Sequence, residues 1–203
     1  MTLESFDIEG EALSLFRTLR LDPARPPSPQ ELALSLGLDV QYVLRARRPA
    51  SLGFVDGQPT LRILNTCSAK ARAWFIAHEL GEWVLHQRRE RSEYVETYAD
   101  NLGAALLAPM PAVRVARQRF EDDFARAAKW LKTTQTITAL RYGEVCERLV
   151  IMLERSRVKM RGPASFEIPP ERELRRIAAA GGGDGLTVIP VTDAPGRVLL
   201  IGE

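Results

Sequence analysis

One nine-residue run limits this chain more than any other: His78-Glu79-Leu80-Gly81-Glu82-Trp83-Val84-Leu85-His86. Just upstream, Ala71-Arg72-Ala73-Trp74-Phe75-Ile76-Ala77 spaces apolar side chains at helical intervals, which predicts one helix over residues 69–88. Positions i, i+4 and i+8 lie near one helix face, so His78, Glu82 and His86 share a side. Glu79 sits about 100° further round. The chain has two histidines, His78 and His86, so no histidine pair one turn apart can form. His86 stands two turns from His78, about 12 Å along the axis. Helical side chains lean toward the N-terminus, which carries His78 away from His86. Glu82 is the better-placed second donor, because zinc accepts carboxylate oxygen at nearly the imidazole distance. The alternative is a solvated surface glutamate on a helix that holds no metal.

A second helix is expected from Glu96 to the stop at Pro109. Glu96 and Asp100 lie one turn apart on it and share a face. Either could ligate a cation with the other supporting from behind, or both could pair with arginines. The first run resembles the His-Glu-x-x-His helix of zinc peptidases, with Glu82 at the second ligand position. The two helices in this order, closing on Leu106-Leu107-Ala108-Pro109, resemble the ImmA/IrrE family of metallopeptidases. Residues 60–65 followed by Arg72–Ala77, and residues 29–38, are similar to that family's strand, pre-motif run and N-terminal helix. The resemblance covers about residues 28–109 and runs more faintly to 154. It departs at Glu82, where the family has histidine, and at Leu102, where it has phenylalanine, a tolerable core exchange.

The resemblance implies an α+β fold: a mainly helical zincin-like core with a small antiparallel sheet, then a helical segment and a C-terminal β-hairpin. It implies zinc held by His78, Glu82 and Glu96, with Glu79 as general base; the residues themselves add Asp100 and His86 as candidate supports behind the ligands. The implied substrate is a protein, a bacterial repressor or other regulator. A mixed imidazole–carboxylate set also suits iron or manganese. The competing reading is a metal-free or weakly metalled relative that binds a regulator without cutting it, for which Glu82 in place of histidine is the evidence.

At 203 residues the chain is one ordinary domain, or a domain with a small appendage. Its 45% apolar content is enough for a true core. No apolar run reaches the roughly 18 residues of a membrane helix, and the mixed N-terminus has no secretory apolar stretch. Cys67 and Cys146 are far apart and lack partners at ligand spacing, so reduced core thiols in a cytoplasmic protein are expected. A net charge of +2 makes no global case for nucleic acid, though a local patch could bind it.

Taken in order, residues 3–21 read as a helix and residues 22–29 as a stiff proline-rich linker. Ser28 should cap a helix that begins at Pro29 and stops at Gly37. That helix is read as packing rather than DNA-reading, because no recognition helix comes after it. Residues 51–55 and 60–64 should form a hairpin about Asp56-Gly57-Gln58-Pro59, and residues 60–65 are the candidate edge strand for an extended peptide. Gly81 should let the second helix approach closely. Helices are expected over 113–131 and 138–155. The pattern from Phe124 to Arg141 has helix-turn-helix character, in which Arg141 and Lys132 could touch phosphates; a helical buttress explains it equally. Residues 155–161 suggest a solvated strand face, residues 171–180 a helix and residues 181–185 a flexible joint. Residues 186–191 and 197–201 suggest a terminal hairpin. The expected divisions are 1–111, 112–160 and 161–203.

Overall fold

The computed structural model describes residues 7–87, 95–154, 157–161, 169–183, 185–192 and 197–202. The fold is α+β. Two compact units divide the chain, Met1–Ala112 and Val113–Glu203.

The first unit opens with α1 (Ile8–Thr18), whose Asp7 cap accepts from the Gly10 amide at 2.8 Å. The helix ends before Arg20, which takes φ 56°, so it stops short of the expected residue 21. Residues 3–6 of that expectation lie outside the described residues. In α2 (Pro29–Ser35) Ser28 and Glu31 cap one another reciprocally, with Pro29 in the first turn. Gly37, at φ +78°, then turns the chain out of the helix. The next element is a strand, β1 (Asp39–Val43), and not a second helix.

β1 was not expected from the sequence, and it changes the sheet. β2 (Ala50–Val55) and β3 (Gln58–Leu64) form the expected hairpin, with Asp56 and Gly57 both at positive φ in the turn. β1 runs parallel to β3 on its other side, so the order is β1-β3-β2. Two expectations are corrected. The sheet is mixed, not antiparallel. The strand over residues 60–65 is central, not an edge, because both its sides carry partners; β2 is the edge beside the helix that comes next in the chain.

That helix, α3 (Ala69–Gln87), crosses α4 (Val95–Leu107) at glycines. A Cβ built on Gly81 would lie 2.7 Å from the Ala99 Cα. One on Gly103 would lie 3.0 Å from the Ala77 carbonyl carbon. The backbones therefore touch, as expected for Gly81. Ile76, Leu80, Tyr98 and Leu102 fill the core between the two helices and Leu61 and Ile63 of the sheet.

The helix α5 (Met110–Phe120) crosses the boundary between the units. The second unit continues with α6 (Phe124–Trp130), α7 (Gln135–Val145), β4 (Val150–Glu154), β5 (Arg157–Arg161), α8 (Glu171–Ala180), β6 (Gly182–Gly183), β7 (Leu186–Pro190) and β8 (Arg197–Gly202). The strands make one antiparallel sheet, ordered β5-β4-β8-β7-β6. The expected helix over 138–155 ends at Val145; Val150, Ile151, Met152 and Leu153 are all buried as a central strand. β4 pairs with β8, so no boundary falls at residue 161 and the terminal hairpin β7–β8 belongs to the same sheet as β4. Gly181 caps α8 at φ +76° and Gly182–Gly183 pair with β7, which replaces the expected flexible joint with a short strand. Asp184, Arg155 and the side chains of Arg157, Lys159 and Arg161 lie outside the described residues. Leu174 and Ile177 of α8 pack on Leu149, Ile151 and Leu200. The Gln135 side chain ties α7 to the hairpin, donating to the Pro190 carbonyl at 3.2 Å and accepting from the Thr192 amide at 2.9 Å.

Cys67 and Cys146 are free thiols, each half-buried, where core positions were expected. Among the described residues no helix is long and apolar enough to cross a membrane.

Candidate metal centre

The close backbone contacts of Gly81 with Ala99 and of Gly103 with Ala77 decide what the polar faces of α3 and α4 do. Close backbones bring short acidic side chains of α4 within reach of His78. The His78 Nδ1 lies 3.0 Å from Asp100 Oδ1. Its Nε2 lies 3.6 Å from Glu82 Oε1 and 3.5 Å from Glu96 Oε2. The Nδ1 contact has hydrogen-bond length, and the two Nε2 distances exceed the usual N–H···O range of about 2.7–3.2 Å. Instead they approach the edge of a tetrahedron with metal–donor bonds of about 2.0–2.1 Å, which is about 3.3 Å. Ligand atoms of His78, Glu82 and Glu96 all lie within 4.8 Å of one another. One imidazole and two carboxylates in this spacing fit a divalent cation with a further position open. The side chain of Glu96 is 79% exposed and that of His78 18%, so the cluster opens to solvent on the α4 side.

The electrostatics arise from three acids around one ring. The Asp100 hydrogen bond, then the Glu82 carboxylate, push the His78 pKa up to about 10, against the opposing effect of burial. With the Nδ1 proton donated to Asp100, Nε2 is the atom left facing Glu82 and Glu96. A proton held there occupies the place where a cation would bind.

Glu79, the next residue round α3 from His78, is buried and takes a hydrogen bond from the Leu52 backbone of β2. Burial, reinforced by the Glu82 charge, raises its carboxyl above the usual range; His78 and the Leu52 backbone N–H work the other way. The Leu52 amide is a contact to the candidate site that no sequence signal names, because it depends on the register of β2.

The structure thus brings His78, Glu82 and Glu96 together, with Asp100 behind the ring and Glu79 alongside. It does not bring in His86. That ring is exposed and stacks on Trp83, with centroids 5.8 Å apart and planes at 25°, which corrects its expected supporting place behind the ligands. Arg141 is corrected too. It is 5% exposed and ion-paired with Glu144 inside the second unit, which counts against the phosphate contact that was the lesser alternative for it. Lys132 is exposed.

No family model matches the chain, and no curated protein matches it. Among solved structures, a Mycobacterium tuberculosis transcriptional regulator is similar over 97% of this chain and 87% of its own, at 14% identity and a TM-score of 0.64. The two share a fold.

Proposed function

We propose that this chain is a divalent-metal-dependent endopeptidase resembling the ImmA/IrrE proteins, with zinc as the first candidate metal. The convergence of His78, Glu82 and Glu96 donor atoms within 4.8 Å, with Glu79 buried beside them, carries the reading. His78 Nε2, a Glu82 oxygen and a Glu96 oxygen would hold the cation, which would polarise a peptide carbonyl and acidify a water molecule. Asp100 fixes the ring so that Nε2 faces the other two donors. Glu79 takes the proton of the attacking water on its carboxylate and returns it to the leaving amine. Burial raises the Glu79 carboxyl, which suits the return of the proton, and a bound dication would favour its ionised form. Among the described residues β2 pairs with β3 alone, and its other side, next to α3, is where an extended substrate could add as a strand.

The substrate class is a regulatory protein, such as a repressor. The resemblance implies it, and the similar solved structure bears the name of a transcriptional regulator. One observation favours a second reading, a regulatory module that binds its partner uncut. The second ligand position is a carboxylate, which makes the site more anionic and its bound water less acidic than two histidines would. Glu79→Gln separates the two readings. It should leave bound metal unchanged and lower proteolysis about 100- to 10,000-fold. Undiminished cleavage by Glu79→Gln would remove the proposed base, and stoichiometric metal without any proteolysis by the native chain would favour the binding module.

A further inference from the structure

Glu82 belongs to two features at once. Beside the metal cluster it lines a groove of about 380 Å³ between β2 and α3. Leu52 and Phe54 of β2 form one wall; Leu85 and His86 of α3, and Val95 at the start of α4, form the other. The volume sits at the small end of ligand pockets, about 300–1,000 Å³. It exceeds what an alanine side chain needs and has room for a ring.

The strand register explains the wall. Leu52 pairs with Leu61 and Phe54 with Pro59, so both point to the core side of the sheet, the face that α3 covers. Phe54 nevertheless remains 61% exposed, with its ring 6.4 Å from that of Trp83, which in turn stacks on His86. Folding has left a large apolar side chain at the rim of the cleft, beside a strand edge that, among the described residues, pairs with no further strand. An extended polypeptide lying along that edge would place alternate side chains toward α3. Its backbone would pass the Leu52 amide and Glu79, and the neighbouring side chain would enter the groove.

We infer that this groove is a specificity pocket for one large apolar side chain, aromatic or aliphatic, next to the scissile bond of a peptide paired with β2. Phe54 and Val95 set its size and polarity. The inference rests on the peptidase reading and adds the residue class at which cleavage occurs. The lining of Leu52, Phe54, Leu85 and Val95 favours aromatic and long aliphatic side chains over charged ones, and the Glu82 carboxylate in that lining would be neutralised by the proposed cation.

The test uses the full metal-loaded chain on a peptide library of defined composition, with cut sites read by mass spectrometry. The native protein should cut beside Phe, Leu, Met or Trp. Val95→Trp should shift cleavage toward Ala and Gly, changing the large-to-small ratio about tenfold or more. Phe54→Asp should lose the apolar preference and admit Lys or Arg. Phe54 is exposed, so its variant should keep the native unfolding temperature and metal content. In a second arm, the blocked peptide acetyl-Ala-Phe-Ala-amide is titrated against the chain by NMR, with acetyl-Ala-Gly-Ala-amide as control. Binding of the phenylalanine peptide alone, lost in Phe54→Asp, supports the groove even where no cleavage occurs, and the peptidase reading then falls by itself. Cleavage without apolar preference, or a preference unmoved by both variants, overturns the groove and leaves the peptidase standing. A dimer abolished by Phe54→Asp would assign the groove to a second copy and also overturn the inference.

Discussion

His78 is contacted through both ring nitrogens, and that gives the metal-free protein a pH dependence of defined sign. Its pKa is raised to about 10 in the folded chain, from about 6.5 in an unfolded one. The stabilisation is therefore complete below about pH 6.5 and is lost as pH rises through about 10. Glu79 adds in the same direction, since a carboxyl raised by burial penalises the fold once it ionises. Thermal unfolding in the presence of a chelator should show falling stability from pH 6.5 to 10, with a flatter slope in His78→Gln. An equal slope in the variant would mean that the ring carries no extra proton. Asp100→Asn keeps the shape but weakens the hold on the ring, and metal affinity should fall about 10- to 100-fold. Competition with a chromophoric chelator measures it. At this scale much was legible. Helical spacing placed His78 and Glu82 on one face, and the turn between Glu96 and Asp100 offered two candidate acids. The bond from Leu52 was not, because it joins a strand edge to a helix through register alone. Nor was the stacking of His86 on Trp83, since i, i+3 neighbours on one helix can pack in several ways.

Among elements, the α3–α4 contact positions the candidate site. Gly81→Ala should raise helix propensity by about 1 kcal/mol. The added Cβ would meet the Ala99 backbone at 2.7 Å, and backbone cannot swing aside. Overpacking of about 1–3 kcal/mol should win, lowering the unfolding temperature and pulling Glu96 away from His78. A more stable Gly81→Ala with intact metal binding would show that the helices separate freely. The glycine was readable in advance because a helix interior selects against it without a packing reason. The sheet was read less well. β1, Asp-Val-Gln-Tyr-Val, has too short an alternation to stand out, and its parallel pairing with β3 is invisible to local pattern. Missing it made β3 look like an edge.

For the whole molecule, the two units differ in how far their sequences could be read. The first is built mainly from capped helices and a tight hairpin, whose signals are local. In the second the decisive event is β4 joining β8, more than forty residues on, and Val150–Leu153 is a continuous apolar run that reads equally as helix or strand. Arg141 shows the same limit, because its charge suggested a surface role and only the tertiary fold reveals its pairing with Glu144. The likeness to a solved regulator of 14% identity spans nearly the whole chain, so the shared fold extends beyond the first unit. One cation at the meeting of α3 and α4 underlies the proposed peptidase activity. Calorimetric titration of the chelator-stripped full chain with zinc, and separately with manganese, tests for it most directly. One equivalent should bind with proton release, and binding should weaken strongly in His78→Ala and in Glu96→Ala. No saturable binding of either metal, or a site indifferent to the loss of Glu96, would contradict the proposed centre.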